Sequence, residues 1–157
     1  ENLTGDPNRE YFADAMTDEL IDYLGKIGGL DVICYQSVMQ YKGLNKPLEI
    51  ARKLNVDAVV VGTVLCGAER VRIRAELIGA ESERRLWGRK YEDDFGDILI
   101  LSSKVAQAIA RESQITLTAD EEVRLTSARP VNPEAYELYR RGWYHYNKMS
   151  KEELEKK

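Results

Sequence analysis

After a turn at Asp6-Pro7, apolar residues fall at Phe12, Met16, Leu20, Leu24 and Ile27, spaced by four and three. That is the period of a helix with one buried face. Arg9, Glu10, Asp14, Asp18, Glu19 and Asp22 make its opposite, solvated face, and Gly28-Gly29 predicts the stop through positive-φ backbone. Residues 30–38, rich in Val, Ile and Tyr, predict a strand. A turn at Lys42-Gly43 follows, then a short helix over 47–55 that opens on Pro47 and turns Leu48, Ala51 and Leu54 inward.

Residues 57–65 are almost continuously apolar, the pattern of a strand covered on both faces, which places it in the middle of a sheet. A hairpin connection at 67–70 leads into strict alternation: Val71, Ile73, Ala75 and Leu77 on one face, Arg70, Arg72, Arg74 and Glu76 on the other. A turn at 80–83 precedes a third strand, with Leu86, Gly88 and Lys90 on one side and Trp87, Arg89 and Tyr91 on the other. These three strands form an antiparallel meander.

Asp97 is placed to cap a helix striped by Ile98, Leu101, Val105 and Ile109 and ending near Leu117, which should cover one face of the sheet. Thr118 followed by Glu121 predicts a capping box and a short polar helix. Residues 129–133 hold two prolines and no apolar period, so the domain boundary falls there. Beyond it, Ala135, Tyr136, Leu138, Tyr139, Gly142, Trp143 and Tyr146 form an aromatic face at helical spacing, and a second helix, beginning with Leu154, is expected after Ser150. One helical hairpin cannot bury that face, which implies further helices, as in a solenoid.

Composition narrows the function. The chain has 157 residues, 43% hydrophobic and 32% charged, enough for one globular domain and an appendage. A net charge of -4 argues against gripping phosphate backbones, so nucleic acid is not the expected partner. No apolar run approaches the roughly 20 residues that span a bilayer, and residues 1–7 lack the pattern of a signal peptide, so no membrane contact is expected of this stretch. A first residue other than Met, and a helical pattern still running at Lys157, read as a fragment of a longer chain. Cys34 and Cys66 both sit in apolar stretches and read as small buried thiols in a reducing compartment rather than as a disulfide. With His145 alone and no CxxC or HxxxH spacing, neither a metal site nor a cysteine–histidine pair is expected.

Candidate chemistry is sparse. Asp14, Asp18 and Asp22 share a helix face at four-residue spacing, yet such a run is ordinarily solvated rather than catalytic. Asp93-Asp94 with Gly96 and Asp97 lacks the alternating ligands of a calcium loop and reads as a turn and cap. Gly25, Gly28 and Gly29 follow no strand and make no phosphate cradle, and no serine sits in a GxSxG elbow. Arg70, Arg72 and Arg74, with Arg84, Arg85, Arg89 and Lys90 on or before the neighbouring strand, leave two readings: a basic surface for single-stranded nucleic acid or an acidic partner, or a solvated face whose arginines pair with Glu76, Glu83 and Glu92. The acidic total favours pairing. No catalytic residue and no cofactor is assigned.

The stretch 1–7 followed by Glu10-Tyr11-Phe12-Ala13-Asp14-Ala15-Met16-Thr17-Asp18-Glu19-Leu20 resembles the FENLSGDPxxEYFADGMTEDLI signature of a bacterial domain similar to the amino-terminal domain of TolB. Tyr41-Lys42-Gly43, Val61-Gly62-Thr63-Val64, Ala75-Glu76-Leu77-Ile78 and Leu86-Trp87 continue the match in order, so the resemblance covers residues 1–128. It implies a three-layer α/β/α fold with a mixed sheet of about five strands, the first truncated because the family's apolar segment before Glu1 is missing. That edge would be filled by residues outside this sequence or by a second copy. After a linker at 129–133, residues 134–157 look like the first helices of a tetratricopeptide array. Members of the family lie beside a nucleotide cyclase, winged-helix regulator or kinase module and carry no catalytic residues themselves. The resemblance leaves open on which side of a membrane the domain sits.

The expected function is therefore a non-catalytic interaction or sensory module of a bacterial signalling protein, meeting other proteins through Tyr136, Tyr139, Trp143 and Tyr146 and, on the sheet, Arg72 and Arg74. The alternative is a sensor of a small ligand or nucleotide, with the Gln36-Ser37 and Thr63 neighbourhoods at its site.

Overall fold

The computed structural model describes residues 1–6, 10–67 and 69–154, with side chains described as far as Lys148. Among them are six α-helices and three strands in the order α1 (Glu10–Leu24), α2 (Tyr35–Met39), α3 (Pro47–Leu54), β1 (Ala58–Cys66), β2 (Arg70–Gly79), β3 (Arg85–Asp94), α4 (Ile98–Glu112), α5 (Ala119–Thr126) and α6 (Pro133–Leu154), with a 3-10 turn at Phe95–Asp97 before α4. Pro7 of the first turn, Arg9 and Ala68 of the hairpin connection lie outside the described residues.

The meander forms as its alternation requires. β1 and β2 pair antiparallel from Ala58 opposite Gly79 to Cys66 opposite Val71, and β2 and β3 from Arg70 opposite Asp94, with an irregularity at Leu77/Ile78. Val71, Ile73, Ala75 and Leu77 all point inward, under α1 and α4. One core cluster joins Phe12, Met16, Val64, Ile73, Phe95, Ile98 and Leu101; another joins Tyr23, Leu24, Ile27, Leu77, Trp87, Val105 and Ile109. The α4 stripe is therefore buried along its whole length, as its period demands.

The sheet departs from expectation. It is a three-stranded antiparallel sheet in the order β1-β2-β3, not a mixed sheet of about five strands. Its arginine face is solvent-exposed where a third layer would have covered it. Residues 30–34 run without helix or strand assignment and pair with no strand among the described residues, and 35–39 are helical. Val and Ile there fit a pleated surface but cannot supply the neighbouring backbone that makes a strand. For the same reason β1, apolar throughout, is an edge strand and half-buried over Ala58–Val61, while β2, with one wet face, is central. The free side of β1 carries a single parallel bridge, Asn2 to Val64, supported by amide bonds from Leu3 to the Val64 carbonyl and from Val64 to the Glu1 carbonyl, both under 3 Å.

Other local expectations are revised by their neighbours. Gly28 and Gly29 do not take positive φ; among the described glycines only Gly5 and Gly43 do. Their missing side chains instead permit close packing: a Cβ on Gly29 would meet Ile115 at 3.0 Å, and the Gly28 amide donates to Glu121 at 2.6 Å. Asp97 precedes α4 without a side-chain cap, and α4 ends at Glu112 rather than Leu117. The Thr118–Glu121 capping box forms in full. Among the described residues no helical hairpin follows the linker, since α6 is one 22-residue helix passing through Ser150, and they show no tetratricopeptide array. Cys66 is buried, but Cys34 is exposed, and the two are not joined in a disulfide.

Candidate functional site

Two features stand out against this frame: the face where α6 meets α1, and a cavity beside the free side of β1.

The α1 carboxylates are not a solvated face. Asp14 is 5% exposed, and a single cation, Lys42 from the turn after α2, donates to it at 2.5 Å and reaches Glu10 at 2.7 Å. The hydrogen bond from Lys42 holds Glu10 below the usual carboxylate range, whereas burial pushes Asp14 up despite the same cation. Burial opposes the charge on Lys42, but its bonds to Asp14 and Glu10 prevail and raise its pKa. One turn further along, Arg140 of α6 reaches Asp18 at 3.0 Å and also pairs with Glu19. Burial pulls the Arg140 pKa down, and Asp18 works against that. Three rings of its own helix, Tyr136, Tyr139 and Trp143, flank the guanidinium at 5.3–5.6 Å from their centroids. Only Asp22 of the acidic run is exposed.

This arrangement splits the aromatic residues of α6. Tyr136 is buried against Phe95 at 6.1 Å between ring centroids, and Trp143 is half-buried edge-on to Tyr35 at 5.1 Å. Tyr139 and Tyr146, seven residues apart and so on one face, are 63% and 70% exposed, with Leu138 beside them. Two of the four expected partner-binding aromatics therefore serve the fold, and two face outward.

Arg72 and Arg74 sit on the open face of β2. Arg72 pairs with Glu92 at 3.0 Å and Arg74 with Glu76 at 2.6 Å; Arg70 pairs with Glu92, and Arg85 with Glu76. Glu83 instead takes Arg52 of α3. The basic stripe is thus largely neutralised by its own sheet, and such exposed pairs contribute little energy.

A cavity of about 640 Å³ opens between α1, residues 29–33 and β1. It is walled mainly by apolar side chains, among them Met16, Leu20, Val32 and Val60, with Thr17, Thr63 and Ser102 as polar points and Asp31, Asp57 and Arg74 among the charged residues of its lining. It includes Thr63 but neither Gln36 nor Ser37, which lie on α2, where Ser37 bonds Cys34. Among the described residues no group of three His, Cys, Asp or Glu is placed to hold a metal ion, and no helix is long and apolar enough to cross a membrane.

Sequence reasoning missed Lys42 and Arg140. Arg140 carried one signal: a cation set inside the aromatic run, at the i+4 position from Tyr136, where a helix interface ordinarily takes an apolar residue.

No family model matches the chain. It is 37% identical over 139 residues to a Rhizobium meliloti (strain 1021) protein named "Putative adenylate cyclase 3". The match takes in 88% of this chain and 24% of that protein, so the chain spans about a quarter of the relative's length.

Proposed function

We propose that this chain is a non-catalytic interaction module of a bacterial signalling protein, and that it meets another protein through the outward face of α6. The observation that carries the reading is the exposure of Leu138, Tyr139 and Tyr146 on one side of a helix whose other side is anchored to α1. Tyrosine supplies large contact area at low entropic cost, and aromatics gathered on one face are what protein interfaces select. Similarity to a quarter of a cyclase-named protein fits a segment that accompanies a catalytic region without being one. The resemblance of residues 1–128 to the TolB amino-terminal-like domain supports the same reading.

The test is site-specific photo-crosslinking from positions 139 and 146 in cells producing the intact protein, with position 111, on α4, as the control. Crosslinks to one protein species from 139 and 146 alone support the module. Equal labelling from all three sites, or none, removes it.

The cavity beside β1 favours a second reading, a small apolar or mixed-polarity ligand sensed by the same chain. A thermal-shift series against nucleotides and metabolites checks it: a dose-dependent rise in Tm that Thr63→Leu abolishes would establish this site.

A further inference from the structure

The contact between α6 and α1 is built on charge where helix pairs are ordinarily apolar. Along the inner side of α6, Tyr136 is buried, Arg140 follows one turn later, and Trp143 comes after it. Among the described residues Arg140 is the only cation paired with Asp18 and Glu19, and its side chain is 5% exposed. Removing it would leave two neighbouring carboxylates half-covered and uncompensated, and the helix would lose its central contact. Outside that point α6 is held by Tyr136, by Tyr144 packed on the same core cluster, by a bond from the Tyr11 hydroxyl to Glu137 at 2.9 Å, and by the Trp143–Tyr35 ring contact.

The latch is also incompletely satisfied. The Arg140 Nε is buried and has no hydrogen-bond partner among the described residues, and neither has the Tyr136 hydroxyl. Each of these unmade bonds takes stability from the closed position of α6, although Trp87 Nε1 and the Tyr91 hydroxyl of β3 are likewise buried without a partner among the described residues. Half of the core closes without α6: the cluster around Leu77, Trp87 and Val105 contains no α6 residue, whereas Tyr136 joins the one around Ile73, Ile98 and Leu101.

We infer that α6 is a strap which Arg140 fastens to the Asp18 and Glu19 carboxylates of α1, and which opens as a unit while the sheet and α4 stay folded. Opening bares Tyr11, Phe95 and Tyr136, an aromatic surface continuous with the outward Tyr139. α1 is the natural lever: Asp18 and Glu19 hold the strap while Met16, Thr17 and Leu20 line the cavity. The inference concerns the helix itself and stands whether or not the outward face of α6 binds a partner.

Amide hydrogen exchange on the whole chain tests it. In the native protein the α6 amides between Tyr139 and Asn147 exchange faster than those of β2 and α4. In Arg140→Met, which keeps bulk and removes charge, they exchange at least about tenfold faster again while β2 and α4 are unchanged. Glu19→Gln, which leaves the Asp18 pair in place, gives a smaller acceleration confined to α6. Exchange of α6 in step with β2 in the native protein overturns the inference, as does an unchanged α6 in both variants. If Arg140→Met unfolds the whole chain, Glu19→Gln decides between these outcomes.

Discussion

The Lys42 ammonium lies 2.5 Å from an Asp14 carboxylate that is almost withdrawn from solvent. A turn that follows one helix thereby neutralises the buried side of another. In Lys42→Met the Asp14 charge loses its partner, and the loss in stability should be about 1–3 kcal/mol, below the cost of breaking a fully buried pair because Lys42 is partly exposed. Urea unfolding at pH 7 measures it.

That substitution also sets a pH dependence. Burial already raises the Asp14 pKa, and removing Lys42 raises it further. A carboxyl whose pKa is higher folded than unfolded binds more protons in the folded state, so stability falls as pH rises through the raised value. The gap between native protein and Lys42→Met should therefore narrow as the solution is acidified from neutral pH. In an Asp14→Asn background, adding Lys42→Met should show no such narrowing from this group.

Glu121 works in the opposite sense. Backbone bonds from Thr118 and Gly28, with the Thr118 hydroxyl, lower its pKa from 4.5 to about 2. Its contribution is complete above pH 4.5 and is lost as pH falls to about 2. Melting temperatures of native protein and Glu121→Gln should differ at neutral pH and converge across that window.

Two glycines should respond with opposite signs. A Cβ on Gly62 would lie 2.9 Å from the Arg74 carbonyl oxygen, so Gly62→Ala should cost about 1–3 kcal/mol by forcing β1 and β2 apart. Gly142 has no atom within 4 Å of an added Cβ and sits inside α6, so Gly142→Ala should stabilise by roughly 0.5–1 kcal/mol. Chemical denaturation of both variants gives the two signs directly.

In the core, Leu101 is 2% exposed beneath the sheet, and Leu101→Ala should cost about 2–5 kcal/mol. Val123, 66% exposed on α5, should tolerate alanine within about 0.5 kcal/mol. Paired thermal and urea unfolding curves check the contrast.

What could be read from the chain alone was what repeats within a few residues. The stripes of α1 and α4, the alternation of β2 and the Thr118–Glu121 box are local patterns, and each formed where its residues stood. The strand expected at 30–38, the central position of β1 and the sheet of about five strands failed together, because a strand exists only through a neighbour's backbone. Tertiary structure alone decided that the α1 carboxylates are covered, since Lys42 lies 28 residues from Asp14 and Arg140 lies 122 from Asp18. It alone divided the four aromatics expected to bind a partner into Tyr136 and Trp143, which anchor, and Tyr139 and Tyr146, which are exposed. Helical spacing places residues on a face, but which face is buried depends on the surface that packs against it, and charge is compensated by whatever cation the fold delivers.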